Sequence, residues 1–171
     1  MLTVFPLHTS TIKVLLPPIE STQDATVFVV GGAAVALVYD AGRSTRALDA
    51  AFDSSYEDAG AYLRMTSQVG VPNGQDEDWL NDGAKGMMPG YDKDAQVIYD
   101  GQALDVYVAS PQYLLAMKLY AARPGRDLND AVKLWSISGY TSESQGVALL
   151  RGEVPTTFAA TQALAFYSKG R

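Results

Sequence analysis

Asp49 stands two residues after Ala47 in the stretch Arg43-Ser44-Thr45-Arg46-Ala47-Leu48-Asp49, where the pattern reads as a strand. Residues two apart on a strand project from one face, so positions 47 and 49 point the same way. Two carboxylates placed like this hold two divalent metals about 4 Å apart; with alanine at 47, this chain keeps one of them. Upstream, Val29-Val30-Gly31-Gly32 ends an apolar run in a glycine pair. Such a pair lets backbone amides approach a phosphate chain without obstruction, and a helix starting there adds free N–H groups. These residue types suit the handling of phosphate oxygens, chemistry dominated by positioning and charge neutralisation. A glycine pair alone is weak evidence, because such pairs are common after strands.

Lys118 is the second chemical signal. At about 100° per residue it falls between Leu114 and Ala122 and beside Leu115, inside the apolar arc of a helix. A lysine there must snorkel, pair with an anion or contact a ligand, since a buried unpaired ammonium is costly. Nucleotide phosphate is one partner that meets the need, and a bridge to Asp127 or Asp130 is another. Asp127 and Asp130 also read as a helix N-cap with an acid three residues on. Asp105, in Leu104-Asp105-Val106, shares a strand face with Ala103 and Tyr107, while Leu104, Val106 and Val108 face the other way. It reads equally as an ordinary half-exposed strand aspartate.

Composition narrows the chemistry. Without cysteine there is no thiolate nucleophile or Cys-based zinc site, and one histidine, His8, makes no cluster. A metal in this chain would be a hard ion on carboxylates, Mg²⁺ or Mn²⁺. The net charge of −6 argues against a broad basic surface for nucleic acid. A local patch is still available, because six of the thirteen basic residues (Arg43, Arg46, Lys118, Arg123, Arg126, Lys133) fall in two short segments. No apolar run reaches the roughly 20 residues of a membrane span, and the start of the chain lacks the features of a signal peptide. A soluble, cytoplasmic protein is expected.

The elements that must position these groups follow from pattern. Residues 1–25, with Pro17 and Pro18, read as an irregular lead-in. Residues 26–30 form a buried strand, 33–39 a helix closing at Gly42, and 45–52 a second strand. Helices are expected over 57–68 and, with Trp79 as core, over 76–85. Residues 96–99 and 103–108 pair as a hairpin around Asp100-Gly101-Gln102, giving at least four strands. Ser110 caps a helix with Pro111 at its first position, running to Ala122. Further helices are expected from Asp127 to Trp135, over 142–151 and over 155–167. The 171 residues fit one domain, with a core over about 26–110 and a helical part over about 111–171.

In this order, the glycine pair, the Arg43-Ser44-Thr45 element and Asp49 resemble the signature of the DNA polymerase β type nucleotidyltransferase superfamily. Lys118 followed by Arg126-Asp127-Leu128-Asn129-Asp130 resembles a motif of nucleotidyltransferase-like toxins of bacterial toxin–antitoxin systems, as does Asp78-Trp79-Leu80-Asn81-Asp82. The resemblance covers about 26–135. It implies an α/β fold with a mixed sheet flanked by helices and a C-terminal helical part. It implies transfer of a nucleoside monophosphate from an NTP, with Mg²⁺, to an acceptor such as the 3′ end of tRNA, and a cognate antitoxin as partner. Asp49 and an aspartate at position 47 would bind metal, with Asp105 completing a triad. Gly31, Gly32, Arg43, Thr45 and Lys118 would hold the nucleotide, and Arg46, Arg126, Asp127 and Asp130 would support the site or the acceptor. Ala47 departs from the pattern, so the chain reads as an inactive form, by natural loss or by design. A non-catalytic binding protein that retains the cleft is the alternative.

Overall fold

The computed structural model describes residues 7, 9–19, 25–40, 43–53, 56–121, 123 and 125–152; His8 and the helix expected over 155–167 lie outside them. Within these bounds the architecture is mixed α/β. Five strands, β1 (Ala25–Val29), β2 (Leu48–Asp53), β3 (Leu80–Asn81), β4 (Gln96–Asp100) and β5 (Leu104–Val108), form one sheet in the order β3-β2-β1-β5-β4. The helices are α1 (Thr9–Ile19), α2 (Gly31–Ala34, continued by a π-helical turn Val35–Tyr39), α3 (Tyr56–Gly70), α4 (Pro111–Ala121), α5 (Leu128–Ile137) and α6 (Glu143–Gly152). No helix among the described residues is long and apolar enough to cross a membrane.

β1 is central because its sequence suits nothing else. Val27, Phe28 and Val29 are all buried, and a strand with neighbours on both sides and covered faces reads as a continuous apolar run. It pairs antiparallel with β2 and parallel with β5. β1 and β5 end level with each other, Val29 opposite Val108, and Ala109 N donates to Val29 O at 3.0 Å. Each strand then gives way to a helix, α2 after β1 and α4 after β5. Both helices therefore leave the sheet from the same edge, where ligand clefts of open α/β sheets form. β2 runs the other way and begins at that edge.

Three expectations are corrected. The lead-in is not irregular: Thr9–Ile19 is helical, with Ile12 and Leu15 buried against the core, α1 packed on α3 and the two prolines in its last turn. Leu7 and Thr45 form a β-bridge, so the strand proper starts only at Leu48. The helix expected over 76–85 is replaced by turns, the short strand β3 and a 3-10 turn, Lys85–Met87. Tertiary pairing overrides helix propensity here. Trp79 is fully buried with its indole N–H donating to Thr66 O at 2.7 Å, and its own carbonyl accepts from Leu48 N at 2.6 Å.

The start of α4 is built as its sequence suggests. Ser110 Oγ accepts from Tyr113 N at 3.2 Å, with Pro111 at the first helical position. Asp92, which carried no signal in the sequence, reinforces the junction by accepting from Ser110 N at 2.7 Å. Burial pushes the Asp92 carboxyl above the usual carboxylate range, although the Ser110 bonds oppose this.

Candidate active site

The cleft opens at the sheet edge where β1 and β5 end. Val30 N donates to Asp49 O at 2.9 Å, which sets the start of β2 beside the turn that leaves β1. Gly31 has φ +67°, and a Cβ there would lie 2.7 Å from Asp49 Oδ2. Glycine is thus required both for the backbone conformation and for space. A Cβ on Gly32 would be 3.7 Å from Arg43 Nη2, an ordinary contact. The α2 helix starts at Gly31, two residues earlier than its alanine run suggests, so the first-turn amides sit at the cleft and lack acceptors earlier in the helix.

Lys118 comes from α4, whose residues Tyr113 to Lys118 are all buried. Its side chain is 8% exposed, and Nζ lies 2.8 Å from Asp127 Oδ1 and 2.9 Å from Asp130 Oδ2. Both of the aspartates weighed as bridge partners are therefore used. Arg123 donates from Nε to Asp127 Oδ2 at 2.7 Å and from Nη2 to Oδ1 at 3.0 Å, and Arg43 pairs with Asp130 Oδ1. The result is a continuous ionic chain, Arg43–Asp130–Lys118–Asp127–Arg123. It ties α4 and the start of α5 to the segment before β2. The Arg123 bond, followed by Lys118, holds the Asp127 carboxyl well below the usual carboxylate range. Asp127 occupies the N-cap position of α5 but makes no side-chain capping bond; its oxygens are committed to the two cations.

These groups surround one hollow of about 390 Å³. Its wall includes Gly32, Thr45, Ala47 and Asp49 from the β1–β2 side and Lys118, Arg126, Asp127 and Asp130 from the helical side. Thr45 Oγ1 donates to Ala47 O at 2.9 Å, fixing the bend ahead of β2. Arg43, Arg46, Lys118, Arg123 and Arg126 stand there against Asp49, Asp127 and Asp130. That is a local excess of cations in a chain of net charge −6, which suits an anionic ligand.

Asp49 is half-buried, and burial raises its carboxyl above the ordinary value. The charges of Arg123 and Lys118, a hydrogen bond from Asn81 and the charge of Arg126 pull the other way and do not prevail. Asn81 was not expected in the site. It arrives because β3 pairs in parallel with β2, with Asn81 opposite Asp49. Arg123, which the sequence offered only as one of the clustered basic residues, is brought in by its two bonds to Asp127.

Asp105 does not reach this cleft. It lies opposite Thr26 on β1, whereas Asp49 bonds to Val30, four residues further along. At roughly 3.3 Å per residue this separates them by about 13 Å along the strand, with β1 between their strands. The expected carboxylate triad is therefore corrected: Asp105 is buried towards the opposite end of the sheet. Among the described residues no group of three His, Cys, Asp or Glu side chains could hold a metal. The donor set of this chain thus does not fit a protein-held Mg²⁺ pair, since Ala47 offers no ligand and Asp127 and Asp130 are engaged with cations. Ala47 and Asp49 nonetheless line the same wall, so the face where a second carboxylate would stand is present.

Comparison with known proteins finds no matching family model, no matching curated protein and no matching solved structure.

Proposed function

We propose that this chain has the scaffold of a nucleotidyltransferase that moves a nucleoside monophosphate from an NTP to an acceptor, and that alanine at position 47 leaves it inactive. The acceptor that the motif resemblance favours is the 3′ end of tRNA, which would make the active form a toxin that blocks translation. A cytoplasmic location and a cognate antitoxin belong to the same reading.

One observation carries it. The glycine turn, positions 47 and 49, and the Arg43, Lys118 and Arg126 cations, distant in sequence, converge on a single hollow. In the active form the first-turn amides and Lys118 would bind and orient the triphosphate, while Arg46 and Arg126 would meet the phosphates of the acceptor. Asp127 and Asp130 would hold Lys118 in place. Mg²⁺, held by aspartates at 47 and 49, would supply neutralisation of phosphate charge in that form.

The test is Ala47→Asp, assayed with each labelled NTP, Mg²⁺ and total tRNA. Label appearing on tRNA with Ala47→Asp and not with the parent is the expected result. A folded Ala47→Asp chain that transfers no label to RNA or protein would sink the enzyme reading. The lack of a three-ligand metal group among the described residues favours a second reading, a non-catalytic protein that binds an anion in the cleft. NTP binding that is equal in parent and Ala47→Asp would select it.

A further inference from the structure

The hollow has a second lobe of different character. Both lobes share Gly32, Asp49, Lys118 and Arg123, with Gly31 on the same turn, but beyond them the wall changes. It is made by Gly83 and Ala84 from the loop after β3, Met87 from the Lys85–Met87 turn, and Met117 and Ala121 from α4. The whole lobe, with the shared Asp49, Lys118 and Arg123 counted in its lining, holds about 130 Å³; the five residues peculiar to it include no charged side chain, whereas the first lobe is crowded with guanidinium groups. The small residues leave a slot, and the two thioethers offer polarisable apolar surface of the kind that packs well on aromatic rings.

Resting on the nucleotide reading above, we infer that this methionine lobe receives the base of the NTP. The triphosphate would lie on the shared wall, and the arginine lobe would be left for the acceptor. The ligand's own polarity decides between the lobes. A nucleoside triphosphate is a polyanion joined to an uncharged aromatic base, and burying phosphate against Met87, Met117 and Ala121 would leave its charge uncompensated. The base, placed there, meets apolar contacts and loses little hydration. The junction between the two halves of such a ligand coincides with the junction between the lobes, at Gly31, Gly32, Lys118 and Arg123. That match of sequence along the ligand to sequence along the cleft selects a nucleotide over an isolated phosphate. Met87 and Met117 are accordingly specificity-determining residues for the base, on a wall that carries no phosphate-binding group.

Calorimetry on Ala47→Asp with Mg²⁺ tests this, comparing an NTP with inorganic tripolyphosphate. Met87→Trp fills the lobe from the loop side and Ala121→Phe from the helix side. Each should weaken NTP binding about tenfold or more while changing tripolyphosphate binding less than about twofold. In turnover, KM for NTP should rise and KM for tRNA should stay put. Photo-crosslinking with an azido-base NTP requires no substitution in the lobe and should label the peptides containing Met87 or Met117. Parallel weakening of both ligands, indifference of both, a change in KM for tRNA alone, or labelling of the peptide containing Arg43 and Arg46 would each overturn the assignment. NTP binding that ignores the filled lobe sinks this inference and spares the nucleotide reading. Failure of Ala47→Asp to bind either NTP or tripolyphosphate sinks both.

Discussion

Gly31 and Asp49 determine each other: the carboxylate Oδ2 occupies the space 2.7 Å from where a Gly31 Cβ would be, and Gly31 holds φ at +67°. The turn that exposes amides to the cleft and the carboxylate that faces it are therefore one unit. Gly31→Ala should cost about 2 kcal/mol, combining left-handed backbone strain with the displaced carboxylate. Thermal melts should fall by about 4–8 °C, and label transfer by Ala47→Asp should fall with them. An unchanged melting temperature would show that the turn tolerates a side chain.

Asp49 also carries a pH signature. Its folded value is raised by burial, so its contribution to stability is greatest below the unfolded carboxylate value and is lost as pH rises through the folded one. Asp49→Asn should consequently melt above the parent at pH 7, by about 2 °C, with the gap closing below about pH 4. A gap that instead widens on acidification would contradict the burial argument. Stability sacrificed at a candidate site is a common trade.

The ionic chain through Lys118 should behave as a coupled unit. Lys118→Met leaves Asp127 and Asp130 buried with less compensation and should cost about 3 kcal/mol or more in denaturant unfolding. Adding Asp130→Asn should recover part of that, giving a coupling of about 1 kcal/mol or more in a double-mutant cycle. Independent, additive losses would mean that the pairs do not cooperate.

Asp127 titrates in the opposite sense to Asp49. Its folded value is depressed by Arg123 and Lys118, so its stabilisation is full above the unfolded carboxylate value and falls away as pH drops towards the folded one. The penalty of Asp127→Asn should thus be constant near neutrality and shrink below about pH 4. Unfolding measured in parallel on both chains from pH 7 to 3 decides it, and a penalty that does not change with acid would refute the assignment.

Trp79 anchors the segment that brings Asn81, Gly83 and Met87 to the cleft. A Cβ on Gly70 would lie 2.2 Å from its Nε1, so Gly70→Ala should cost about 3 kcal/mol by overpacking. Intrinsic fluorescence should report the displaced indole. Asp105→Asn makes the opposite case. Once folding is verified, NTP binding by Ala47→Asp should change less than about twofold, and a loss of tenfold or more (about 1.4 kcal/mol) would return Asp105 to the site.

Much of this arrangement is local physics and could be read along the chain. The β-branched run before Gly31, the hairpin around Asp100-Gly101-Gln102 and the Ser110-Pro111 helix start depend on neighbours a few residues away. Lys118 on an apolar arc had to snorkel, pair with an anion or contact a ligand. Which anion answered was beyond the sequence: phosphate and the two aspartates satisfied the same demand, and only the packing of α5 against α4 put both carboxylates within 3 Å. Strand register was equally out of reach. Residues 80–81 fall in a stretch of helix-compatible types, and what made them a strand was a free edge at Leu48 and Asp49 more than thirty residues away. The parallel register of β5 on β1 then sent Asp105 to the far end of the sheet. Residue types set what each group needs, and long-range pairing decides which groups meet, because its free energy comes from contacts that no local window contains.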